Sequence, residues 1–294
     1  MRFDLSVAPM QALWMLLASA MYAVMGSCVK LASEHGASLA AIIVFRGLPS
    51  VLLLLFWARA KRQPIVTPTW RLHVWRNVAG LSSMWLGFYS VEHLPLATSA
   101  SLTYTSPLFI GCWMLGWGGA RRDPVRIAAV ALGFLGVVVV LHPSVTPDQW
   151  QPALLGLVAG MATAVAMLQL RALGCVGEPE WRTVLFFSIA VCLSSIVGIL
   201  LEGWGHPDWV AYVSLLFGVG AIGLLVQLAQ TRAFGKGAPL LTAALQYSTI
   251  IFAMALGILF WDDAPDVLAW TGSGLIILAG LISAWSTARQ AAPA

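Results

Sequence analysis

The sequence predicts an all-α polytopic membrane protein whose ten transmembrane helices form two five-helix halves in inverted repeat. Three observations predict it: the ratio of apolar to charged residues, the placement of lysine and arginine, and a weak collinear self-similarity. Of 294 residues, 60% are hydrophobic and only 10% are charged. A soluble domain carries about 25% charged residues to solvate its surface, so this chain has too few to face water. The composition also excludes a disordered chain, a collagen-like fibre and a disulfide scaffold. A spanning helix takes about 20 apolar residues, and ten of them leave no room for a separate soluble domain.

The spans fall on residues 9–31, 38–58, 74–92, 97–118, 124–141, 151–171, 181–201, 209–232, 239–260 and 267–287. The first contains Ala18-Ser19-Ala20, which resembles a signal-peptidase site, but its apolar run continues through Met21 to Val29 and the leader's Arg2 is offset by Asp4. It is therefore kept as a span. The second ends at Trp57 and is followed by Arg59, Lys61, Arg62, Arg71 and Arg76, while the third runs into a joint, residues 94–97, without lysine or arginine. After the fourth come Arg121, Arg122 and Arg126; the fifth ends before Asp148 and Trp150. The sixth is followed by Arg171 and Arg182, and the seventh by Glu202, Trp204, Asp208 and Trp209. Arg232 and Lys236 follow the eighth, Asp262, Asp263 and Asp266 the ninth, and Arg289 the tenth.

With Arg2, this alternation puts all but two of the sixteen basic residues on one side; Lys30 lies on the other and Arg46 within a span. Cytoplasmic loops are enriched in Lys and Arg, so both termini are expected in the cytoplasm of a bacterium, with the chain in its inner membrane. The net charge of +4 is thus a membrane-orientation signal, not a nucleic-acid footprint.

The second half matches the first at an offset drifting from 141 to 144. Leu16, Ala18, Ala23 and Val24 fall on Leu157, Ala159, Ala164 and Val165. Gly80-Leu81 falls on Gly223-Leu224; Ala100, Leu102 and Tyr104 fall on Ala243, Leu245 and Tyr247; Gly136 falls on Gly280. Five spans per half make the second half enter upside down, the architecture of secondary transporters with a midplane site. The halves are residues 1–145 and 146–294. A duplicated bundle acting as a scaffold is the structural alternative.

Several segments carry a family likeness: Val44-Phe45-Arg46-Gly47, Leu94-Pro95-Leu96-Ala97, Tyr104-Thr105-Ser106-Pro107-Leu108, and in the second half Gly237-Ala238-Pro239-Leu240 and Leu278-Ala279-Gly280. Through them the chain resembles the ten-helix EamA-type branch of the drug/metabolite transporter superfamily. That resemblance implies metabolite efflux, often of amino acids, through a cavity built by spans one to four and six to nine. The second half has no counterpart of Arg46; Phe187 stands near the corresponding place.

Polar side chains facing lipid are costly and turn inward. Spans four and nine are the richest in them: Ser99, Thr103 and Ser106 share one helix face, as do Thr242, Gln246 and Thr249. Interhelical hydrogen bonding by the small hydroxyls is the alternative, whereas Gln227, Gln230 and Gln246 have amides that need several partners. The expected substrate cavity comprises Tyr22, Trp85, Ser99, Thr103, Tyr104, Met161, Gln227, Gln246 and Tyr247. Tyrosine suits it because the ring is apolar and the hydroxyl is not. Arg46, buried in its span, needs a partner. Glu92 or Glu34 is expected to supply one beside Lys30, in a gate or structural ion pair, with a substrate carboxylate as the other possibility.

All acids and histidines lie at or beyond span ends, so no carboxylate is placed for a mid-membrane proton relay. No phosphate-binding loop occurs, since Gly235-Lys236-Gly237 lacks the required spacing and hydroxyl. The four cysteines show no paired spacing. No cofactor, metal, nucleic acid or enzymatic activity is expected; the expected partners are a small-molecule substrate and the bilayer, for a monomer or weak homodimer. The expected function is export of small metabolites, most of all amino acids including aromatic and other apolar ones, by alternating access. Carriage of a drug, nucleotide sugar or lipid, a scaffold role and an intramembrane enzyme are the alternatives. Phosphate-bearing cargo would want several cavity cations, and the sequence offers only Arg46.

Overall fold

The computed structural model describes residues 8–116, 124–144, 147–236, 242 and 245–291. Arg2, Arg121, Arg122 and the Gly237–Leu240 echo lie outside them. The described chain is helical, with a single isolated bridge between Ala37 and Gly205. Helices α1 (Ala8–Glu34), α2 (Leu39–Ala60) and α3 (Trp70–His93) are followed by the short α4 (Leu96–Thr103) and α5 (Ser106–Gly116), then α6 (Pro124–Ser144). Next come α7 (Trp150–Cys175), α8 (Glu180–Glu202) and α9 (Trp209–Val213), which passes through a π-helical stretch, Ser214–Ile222, into α10 (Gly223–Lys236). The last two are α11 (Ser248–Trp261) and α12 (Val267–Ala291).

Five stretches are long and apolar enough to cross a bilayer: Leu13–Glu34, Leu39–Ala60, Trp150–Cys175, Glu180–Leu201 and Trp209–Gly235. Ile127–Val139, Ser248–Trp261 and Val267–Ile282 are shorter apolar helices. Large apolar side chains cover the outside, with Phe56, Leu200, Leu201 and Leu259 each more than 70% exposed. In water such a surface would aggregate; in a bilayer it is the surface lipid requires.

The fourth span is not one helix. It breaks at Tyr104 and Thr105, because Pro107 has no N–H to give the Thr103 carbonyl and its ring crowds the preceding turn. The Thr105 hydroxyl turns back to the Leu102 carbonyl at 2.6 Å. Helix α7 covers the break with Gly160, where a Cβ would lie 2.9 Å from the Leu102 oxygen and 3.0 Å from that of Thr103. One turn earlier, Gly156 admits Ser90 in the same way. This Gly-x-x-x-Gly is a close-packing face.

Helices α6 and α12 pack on each other, with Gly136 against the Gly272 carbonyl and Ile276. Helix α3 packs on α7, α2 on α8, and α1 on α10 and α11. The apolar core is densest where Val29, Ile42, Ile43, Phe187, Val191, Leu215 and Val219 meet.

Polar ties close both ends of the bundle. At one end, Lys30 pairs with Asp263 at 2.6 Å, Glu34 accepts from Trp261 Nε1 at 2.8 Å, and the Ser38 hydroxyl donates to the Gly203 carbonyl at 2.9 Å. At the other, Glu178 gathers Arg182 at 2.9 Å, His73 at 3.3 Å and the hydroxyls of Thr67 and Thr69 at 3.0 Å. Burial pushes the Glu178 carboxyl up, but hydrogen bonds from Arg182, Thr69 and Thr67 outweigh it and hold the group below the usual carboxylate range.

Candidate functional site

A cavity of about 150 Å³ lies inside the bundle. Helices α1, α2, α3, α4, α7, α8, α10 and α11 line it, together with Tyr104 and Gln246; among the described residues none of the lining comes from α6 or α12. These are the spans that the family resemblance implies.

Its apolar wall includes Met84, Phe88, Val91, Met167 and Ala253. Its polar wall is built from opposed contacts. The Tyr22 hydroxyl donates to Gln230 Oε1 at 2.6 Å, and Arg46 Nη2 donates to Gln227 Oε1 at 3.0 Å. Because the Gln227 oxygen faces the guanidinium, its Nε2 points away and has no protein partner. Tyr22 and Tyr104 meet edge to face, ring centroids 6.4 Å apart. Ser99 donates to Ser90 at 3.0 Å, and Ser83 shares a hydrogen bond with Thr163 across the α3–α7 seam.

Of the residues expected from sequence, Tyr22, Arg46, Ser99, Thr103, Tyr104, Gln227 and Gln246 converge on this cavity. Three do not line it. Met161 points outward, 48% exposed, on the lipid face of α7. Trp85 binds α3 to α8, its Nε1 donating to Ser194 Oγ at 3.1 Å and its ring filling the groove left by Gly198. Tyr247, at the N-terminus of α11, is fully buried against Gly280 of α12, which no side chain could replace. Of the two stripes, Ser106 and Thr242 also lie off the cavity; Thr242 turns to the Ala233 carbonyl at 3.4 Å.

The expected ion pair between Arg46 and Glu34 or Glu92 does not form. Arg46 turns to an amide of α10, Lys30 and Glu34 are taken by Asp263 and Trp261, and Glu92 does not line the cavity. Proximity at one helix end misled here, because the arginine stem runs inward from mid-span.

The residue that sequence reasoning missed is Arg76. Counted among the basic residues of a loop, it lies instead on α3, only 2% exposed, lining the cavity. Its guanidinium stacks on the Phe187 ring at 3.8 Å. A usable signal existed: Arg76, Gly80, Ser83 and Gly87 recur at helical spacing, marking a face where small residues admit a neighbour. Gly80 makes the seat. A Cβ there would collide with Arg76 Nη1 and lie 2.8 Å from Phe187.

Residues 9–142 match the EamA-like transporter family. Over that stretch the chain is similar to EamA-type transporters of the drug/metabolite transporter superfamily, and the curated relatives it matches are named as transporters. The chain is 27% identical to the pseudopaline exporter of Pseudomonas aeruginosa, over 90% of this chain and 92% of that one. It is 23% identical to a riboflavin transporter of Vibrio cholerae, over 96% of both chains. To an S-adenosylmethionine uptake transporter of Rickettsia prowazekii it is 24% identical, over 82% of this chain and 81% of the other. A solved crystal structure shares the fold with a TM-score of 0.66 at 17% identity, over 98% of this chain and 99% of that one. Among the described residues no group of three His, Cys, Asp or Glu side chains is placed to hold a metal ion.

Proposed function

We propose that this transporter exports small metabolites, with amino acids and related amphipathic acids as the first candidates, by alternating access of its central cavity. The reading places it in the bacterial inner membrane, as a monomer or weak homodimer with both termini cytoplasmic. The observation that carries it is the cavity itself, lined by residues from both halves of the chain and combining apolar walls with convergent polar groups. A scaffold would have no use for these buried amides and guanidinium groups, which cost free energy to desolvate.

An inverted repeat of residues 1–145 and 146–294 supports the mechanism, since it lets one arrangement serve both faces. In keeping with it, Arg46 packs against Gly223 and Phe187 against Gly80, pairs of positions that correspond under the sequence alignment of the halves. Among the described residues that line the cavity none is acidic, so the reading includes no carboxylate proton relay within the cavity. Export follows from the family resemblance; the relatives are named both as exporter and as uptake transporter.

Counterflow in proteoliposomes tests this reading. Vesicles loaded with unlabelled amino acids should accumulate labelled ones without a proton gradient. No uptake of any amino acid, with or without the gradient, would reject amino acids as cargo.

A further inference from the structure

We propose that the cavity is built for an anionic solute, specifically a dicarboxylate on a compact apolar body; this rests on the cavity being the transport site. Two guanidinium groups, Arg46 and Arg76, line it, and among the described residues that line it none is Asp or Glu. A buried cation is tolerated when an anion pairs with it. Among the described residues, Arg46 has only the neutral Gln227 oxygen, and Arg76 has only the face of Phe187.

Most of the unmet hydrogen-bonding groups are donors, set against one lone acceptor, Gln246 Oε1, and the hydroxyls of Thr103 and Thr249, which serve either way. Arg76 Nε and Nη1, Gln227 Nε2 and Gln246 Nε2 are all buried donors without a protein partner. Four free N–H-bearing atoms around one cavity ask for acceptor oxygens, and a carboxylate offers two, in the geometry a guanidinium fork matches. An ordinary zwitterion fits less well. Its carboxylate would satisfy one arginine, while its ammonium would enter a cavity that already holds two cations and offers no carboxylate to receive it. Two carboxylates neutralise both arginines and leave the hydrocarbon between them for Met84, Phe88 and Ala253.

A shortage of cavity cations weighed against phosphate-bearing cargo, and Arg76 removes that objection. A phosphate ester shares the oxyanion chemistry, so the test separates the two.

The experiment is equilibrium binding by calorimetry to the purified full chain in detergent. The probes are the dicarboxylates malonate, succinate, glutarate and adipate, with butyrate, L-phenylalanine and glycerol 3-phosphate. One length in the dicarboxylate series should bind at least about tenfold tighter than butyrate or phenylalanine. Removing one member of a buried charge pair costs enough to weaken binding about thirtyfold or more, so Arg76→Gln and Arg46→Gln should each do so and erase the preference.

Equal or tighter binding of butyrate or phenylalanine overturns the proposal, as does the absence of dicarboxylate binding. Tighter binding of glycerol 3-phosphate overturns the dicarboxylate assignment. Should Arg76→Gln fail to fold, the wild-type probe series still decides, and Arg76→Lys, which keeps the charge and loses the fork, should retain weakened dicarboxylate binding. Counterflow of a neutral amino acid without dicarboxylate binding would sink this proposal and leave the transport reading intact. Dicarboxylate binding with no counterflow of any probe would do the reverse.

Discussion

Two contacts occupy corresponding places in the two halves of the chain and differ in chemistry. In one, the stem and guanidinium of Arg46 lie against Gly223, where a Cβ would sit 3.0–3.2 Å from the Cδ, Nε and Cζ atoms. In the other, Phe187 lies against Gly80 at 2.8 Å by the same measure. The glycine is kept in both places because a large side chain crosses close to the helix backbone. The side chain itself is a cation in one place and a ring in the other, and the ring supports a second cation, Arg76. Close backbone approach thus sets where a side chain can enter the cavity, while the charge it brings is free to differ. The first half brings both guanidinium groups, and the second brings Gln227, Gln230 and Gln246.

Making the two places alike should have the largest effect. Phe187→Arg adds a third cation to a cavity with no acid and removes the surface under Arg76; we expect a loss of about 3 kcal/mol or more, read as failure to accumulate folded protein. Wild-type stability in that variant would break the comparison. Smaller, and more discriminating, is the pair Gly80→Ala and Gly223→Ala. The first drives a methyl into both Arg76 and Phe187 and should cost about 1–3 kcal/mol. The second asks Arg46 to yield a few tenths of an ångström and should cost under about 1 kcal/mol. Equal shifts in thermal midpoint would mean that the two seats are not differently packed.

Phe187→Leu keeps an apolar neighbour for Gly80 and removes the ring, with an expected loss of about 0.5–2 kcal/mol from the cation–π contact and a matching fall in midpoint. Smallest is the effect of Glu178→Gln, three residues beyond the end of α7 and in contact with His73 near the start of α3. Its folded-state carboxyl titrates below the usual range. Its contribution is therefore full above the ordinary Glu value and is lost as pH falls through the folded value. Midpoints measured from pH 7 down to pH 3 should fall more steeply for the wild type than for Glu178→Gln. Parallel slopes would dissociate Glu178 from the stability of the end that leads to Arg76.

Much of this was legible in the sequence. The charge ratio predicted the lipid-facing exterior, and sorting polar groups by span found Tyr22, Ser99, Thr103, Tyr104, Gln227 and Gln246, because an amide or hydroxyl in a span must turn inward. Aromatic and sulfur-bearing residues carried no such directional information. Trp85 and Tyr247 therefore went to helix seams and Met161 to lipid. Arg76 was hidden by the orientation signal itself, which counts every basic residue near a span end as a loop residue. The helix break was written in Pro107, whereas nothing in Ser214–Ile222 announces a π-helix.

The interrupted fourth span bears on how the chain is made. Neither α4 nor α5, as described, has the length to cross the hydrocarbon alone, and Gly160 of α7 packs over the carbonyls of Leu102 and Thr103. Translation reaches α7 dozens of residues after it has passed the break. The nascent first half thus holds a helix break whose packing partner has yet to be made. The close packing over the break is therefore completed only once the partner helix has been synthesised.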